Sequence, residues 1–151
     1  MVRLENWQAD LSDLIRKRET EAFDICNFNC LMWACEAIEA QTGEDFYKPF
    51  RGKFKTAKGA ARVLRQKGKS ETAEGYLATV LGEPISKLFI KKGDIVVADP
   101  ETAGLDLTSD LDLFGQALGV CYGAVSYFVG SAGLIAFPTL SLGSKSYGFH
   151  C

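Results

Sequence analysis

Five cysteines (Cys26, Cys30, Cys35, Cys121 and Cys151) and a single histidine, His150, are the side chains of this 151-residue chain with the chemistry for nucleophilic attack, proton transfer or soft-metal binding. The cysteine spacings, Cys-x3-Cys and Cys-x4-Cys, lack the paired knuckles of structural zinc sites. No metal and no cofactor are therefore expected. An odd cysteine count in a chain that is not disulfide-dense suits folding in a reducing cytosol. The second chemical signal is charge. Residues 51–69 carry eight cations, Arg51, Lys53, Lys55, Lys58, Arg62, Arg65, Lys67 and Lys69, and no acid, whereas residues 93–143 carry six acids and no base. Such a segment is either a solvated helix face or a surface that docks onto an acidic partner protein. Contact with phosphate, with Phe54 stacking nearby, is the alternative, but nucleic acid is not the expected partner.

These residues need elements to place them. Leu4, Trp7, Leu11, Leu14 and Ile15 recur at helical spacing, which predicts an amphipathic helix over the first ~14 residues. An irregular connection follows over Ala22–Asn29. Asn29 can cap a second helix from Cys30 to about Gln41, with the apolar stripe Cys30, Leu31, Ala34, Cys35 and Ile38, and Thr42-Gly43 ends it. Thr56 can cap a third, basic helix to about Gln66, closed by Gly68. Thr72 to Leu81 reads as a fourth, stopped by Gly82. Beyond Pro84 the pattern changes. Ile95–Ala98, Ala117–Tyr122, Ala124–Val129 and Gly133–Phe137 read as strands, Pro100–Asp112 as an acidic loop, and Ser146–His150 as a short edge strand. His150-Cys151 is expected as an exposed tail. Gly52, Gly119 and Gly123 suit close packing or positive φ, and Trp7 and Trp33 suit core or interface anchoring.

Helices first and strands second argue for one α+β domain over residues 1–151, with the helices on one face of an antiparallel sheet. Apolar residues make up 47% of the chain, enough for a packed interior. The start, Met1 to Trp7, has no apolar run and no cleavage-site pattern, so no signal peptide is read there. The apolar stretch around Ala117–Phe137 is broken by Gly119, Gly123, Ser126, Gly130 and Gly133, which argues for strands and turns and against a membrane span.

Three blocks, taken in order, carry a resemblance. Trp7, Phe23, Asn29-Cys30 and Thr42-Gly43 form the first. The second is Phe50-Arg51-Gly52-Lys53-Phe54 with Thr56-Ala57-Lys58-Gly59-Ala60-Ala61-Arg62. The third is Gly93-Asp94-Ile95-Val96-Val97 followed by Ala117-Leu118-Gly119-Val120-Cys121-Tyr122-Gly123. Over nearly the whole chain they resemble small proteins of phage tail operons and gene transfer agents, related to NlpC-type cell-wall peptidases of papain-like design. The resemblance implies a papain-like fold with a nucleophilic cysteine at a helix start, usually after Asp, here Cys30 after Asn29. Unpaired amides and the helix dipole favour a thiolate there. It also implies a base histidine at the start of the strand Leu118-Gly119-Val120. That place holds Ala117, preceded by Gln116, and neither titrates as a base. His150 is the one remaining candidate.

The resemblance without its histidine leads to a structural or interaction component of a phage tail tip or baseplate, found in the virion and made in the host cytoplasm, with other tail proteins as partners. The second reading is an active cysteine peptidase or amidase that cleaves peptidoglycan stem peptides during genome delivery, with Cys30 as nucleophile and His150 or another group as base. The bland reading of Cys30 is a small buried hydrophobe.

Overall fold

The computed structural model describes residues 2–102 and 116–151. The acidic loop expected over Pro100–Asp112 falls mostly outside those residues. Four helices come first: α1 Trp7–Arg18, α2 Cys30–Thr42, α3 Ala57–Lys67 and α4 Ala73–Leu81. The caps explain their limits. The side chains of Asn29, Thr56 and Thr72 accept backbone N–H groups of Met32, Gly59 and Gly75, satisfying donors that the first helical turn leaves unpaired. Gly43 closes α2 at φ 81°, where its amide reaches the Glu39 carbonyl.

The helix expected over the first residues begins later, at Trp7, and runs to Arg18. The reason is that the preceding segment is tied elsewhere. Leu4 N–H donates to the Gln41 carbonyl at the end of α2, and the Arg3 guanidinium lies 4.1 Å from the centre of the Trp7 ring.

The strands are β1 Ile85–Ser86, β2 Ile95–Val97, β3 Leu118–Cys121, β4 Val125–Gly130, β5 Gly133–Pro138 and β6 Tyr147–Phe149. They form one antiparallel sheet in the order β1-β6-β2-β3-β4-β5. This is the α+β arrangement expected from the order of elements. One strand differs. The segment expected at the edge, β6, lies inside the sheet, because the two-residue β1 pairs along its outer side while β2 takes the inner side.

α2 is the central helix. It packs against α1 on one side and β3 and β4 on the other, so Leu31, Trp33, Ala34, Ala37 and Ile38 are all fully buried. Burial nearly all round explains why its sequence lacks a polar stripe. Trp33 also donates its indole N–H to the Tyr127 carbonyl on β4 at 2.9 Å, pinning helix to sheet. The sheet is buried on both faces. Ile95, Val97, Leu118 and Val120 join the helical core, while Val96, Ala98, Cys121, Phe128 and Phe137 form a smaller cluster on the far side. The period-2 alternation of side chains across a strand accounts for this division.

Candidate functional site

Asn29 and Cys30 stand where the chain turns into α2. Both are buried, Asn29 at 1% and Cys30 at 4% exposure. The Asn29 side chain is used completely in the polar sense. Its Oδ1 accepts Met32 N–H at 2.8 Å, and its Nδ2 donates to the Ile25 carbonyl at 3.0 Å and the Tyr47 hydroxyl at 2.9 Å. An aspartate could make the cap but could not donate to the Ile25 carbonyl.

Cys30 lies against the head of β3. Burial pushes its thiol up to about 12, against a smaller downward pull from the backbone amide of Leu118, and the Glu74 carboxylate adds to the rise. The helix start therefore does not yield a thiolate here, because removing the anion from water costs more than the dipole returns. Cys35, one turn on, is also buried, and its thiol is pushed up further by the same cause.

The position at the head of β3 where the resemblance puts a base is occupied by Ala117, with Gln116 before it; Ala117 is buried in the cluster on the far face of the sheet, while Cys30 belongs to the helical core. Gln116 N–H donates to Glu74 Oε2 at 3.1 Å. His150 is elsewhere. Its Nδ1 lies 2.8 Å from Asp94 Oδ2, and its side chain is half-exposed. In the sheet register Val97 faces both Leu118 and Tyr147, whereas Ile95 faces Phe149. Cys30 thus sits at one end of β2 and His150 beyond the other, about three residues or ~10 Å apart along the strand. The two residues that a cysteine peptidase would have to couple are not brought together.

His150-Cys151 is not a loose tail, contrary to expectation. Asp94, just before β2, is 1% exposed and gathers four donors: Lys91 N–H at 2.9 Å, Cys151 N–H at 3.3 Å, the Arg3 guanidinium at 3.5 Å and the His150 imidazole. A buried carboxylate is stable only with such partners. Sequence reasoning missed this hub because its donors are separated by up to 91 positions in the chain. The signal available was the Gly93-Asp94 pair in front of a strand.

An open cleft of ≈ 430 Å³ lies between α4 and the β1–β6 edge, with Glu74, Ile85, Ser86, Tyr147 and Phe149 among its walls; Cys30 is not among its lining residues. Its surface is largely apolar, and Glu74 is its carboxylate. Among the described residues no group of three His, Cys, Asp or Glu side chains is placed to hold a metal. No helix among them is long and apolar enough to cross a membrane.

The cationic segment divides into two parts. Arg51 is bound: its guanidinium makes a two-pronged pair with Asp45 at 2.8 and 3.2 Å and lies over the Tyr47 ring. That pairing holds the Asp45 carboxyl below its usual range. Lys53, Lys55, Lys58, Arg62 and Arg65 are exposed and form no ion pair among the described residues. Phe54, the candidate stacking ring, is buried in the helical core.

The profile of the family described as "Domain of unknown function (DUF6950)" matches residues 2–144, and the chain belongs to that family. Comparison with curated proteins and with solved structures gave no match.

Proposed function

We propose that this chain is a non-catalytic interaction component of a phage tail tip or baseplate, built on a degenerate papain-like peptidase arrangement. The tail as its location is supported by the resemblance of its three sequence blocks. The loss of catalysis is supported by one observation above all: Cys30 is a buried thiol pushed up to about 12, and the chain's single histidine does not stand beside it. Burial therefore holds this group as the neutral thiol, whereas a cysteine nucleophile works as the anion. The half-exposed His150 does not repair this, since its imidazole is committed to Asp94 at the far end of β2.

Two measurements test the reading together. Native alkylation at pH 8, resolved residue by residue, should modify the part-exposed Cys26 and leave Cys30 intact. Co-expression with the tail proteins encoded beside it should yield a stable complex. An apparent Cys30 pKa below the free value of ~8.5, or peptidoglycan hydrolysis abolished by Cys30→Ser, would instead establish the peptidase reading. Failure to associate with any tail protein would remove the interaction reading.

A further inference from the structure

The exposed cations of α3 form an ordered surface. At 100° per residue, Lys58, Arg62 and Arg65 fall within about 60° of arc, opposite the stripe that buries Ala60 and Leu64. Along the axis they span roughly 10 Å. Like charges at i, i+4 and i+7 repel one another and weaken the helix that carries them. Nothing among the described residues neutralises them: the ion pairs present involve Arg3, Arg16, Arg18, Arg51 and His150. Arg51 shows the contrast, because its carboxylate partner is built in.

We infer that this α3 ridge is a docking surface for an acidic segment of a partner protein, one presenting carboxylates over two to three helical turns. The inference rests on reading the chain as an interaction component, and gives that reading a surface and a partner chemistry. Charge complementarity names the sign of the partner. Two observations favour protein over nucleic acid. The aromatic rings of the segment, Phe50 and Phe54, are buried, so no stacking platform accompanies the cations. The ridge is also short and bordered by acids, with Asp45 and Glu39 beside Arg51 and Glu71 just past Lys69, and the chain is net −2. An extended phosphate backbone would run onto those acids, whereas a compact acidic patch would not.

The test uses the full chain and a fluorescein-labelled 20-residue helical peptide with glutamates at i, i+4 and i+7, read by anisotropy in 50 and 300 mM salt. Saturable binding is expected at low salt. It should weaken about 10- to 100-fold for Lys58→Glu/Arg62→Glu/Arg65→Glu, as three exposed pairs become repulsions. The control Lys17→Glu/Lys48→Glu/Lys91→Glu changes net charge equally and should retain binding. Equal loss in both triple variants, no binding by wild type, or displacement of the peptide by a 20-base-pair DNA duplex at lower concentration would overturn the proposal. Capture of the neighbouring tail proteins keeps the two readings separate. A tail complex that survives the ridge variant overturns the ridge alone. Peptide binding with no tail complex supports the ridge and removes the tail.

Discussion

Asn29 does two jobs that no charged residue could do together. It caps α2 through its oxygen, and through its amide it ties the Ile25 carbonyl and the Tyr47 hydroxyl to the helix start. Asn29→Asp separates these two jobs. It keeps the cap, removes both donors and buries a negative charge at a site 1% exposed. At pH 7 the variant should lose about 2–4 kcal/mol, the cost of a buried carboxylate facing an acceptor. The pH dependence has a definite sign. Burial raises the folded pKa of the new carboxyl above its unfolded value. The folded state then holds the proton more tightly, so the deficit is smallest at low pH and grows as pH rises toward 7. Urea unfolding at pH 4 and pH 7, each against wild type, measures it; equal stability at pH 7 would mean that the amide donors contribute nothing. The same residue-scale physics governs Cys30. A helix start lowers a thiol only when water or a cation can share the work, and here neither reaches the sulfur.

At the scale of elements, the turn into β2 carries the most specific packing. Gly93 has φ 94°, and a Cβ placed there would lie 2.7 Å from the Arg3 guanidinium and 2.9 Å from the Trp7 ring, and closer still to Gln41 Oε1. Gln41 is fully buried and donates to the Gly93 and Ala37 carbonyls at 2.8 and 3.1 Å. Gly93→Ala should therefore cost about 2–4 kcal/mol, combining left-handed backbone strain with displaced hydrogen bonds. Equilibrium denaturation checks this, and a loss under ~0.5 kcal/mol would show that the α1–α2–β2 junction yields easily. The contrast between this junction and the helices explains what could be read in advance. Asn29, Thr56, Thr72 and the glycines at 43, 68 and 82 mark helix limits through contacts within four residues, so local reasoning found them. The strands Ile95–Val97, Leu118–Cys121, Val125–Gly130 and Gly133–Pro138 were legible from apolar runs between turn signals. β1 was not, since two residues carry no periodicity. The insertion of β6 between β1 and β2 was not either, because strand order depends on pairings some 50 to 60 positions apart. The candidate site divides the same way. Cys30 at a helix start was visible, while its burial and the commitment of His150 to Asp94 emerge only from the assembled sheet.

For the molecule as a whole, the two charge signals in the sequence have different structural fates. Asp94 and Asp99 from the acid-rich half are buried and satisfied by backbone amides and neighbouring groups, so they stabilise the fold from within. The α3 cations are left at the surface and, in isolation, only repel. A surface kept for binding is under-stabilised in the unbound chain, and that gives a test independent of any partner. Arg62→Glu places an acid between Lys58, four residues before, and Arg65, three after. Two repulsive pairs become two attractive ones, each worth roughly 0.2–0.5 kcal/mol in either sense. The variant should therefore be about 0.8–2 kcal/mol more stable than wild type at 20 mM salt, the gain should shrink as added salt screens both states, and binding to the acidic peptide should fall in the same protein. Gain of stability with loss of binding is what a functional ridge predicts. If Arg62→Glu leaves stability unchanged at low salt, the cations of α3 are too far apart or too well solvated to strain the helix, and they would then need no partner to relieve them.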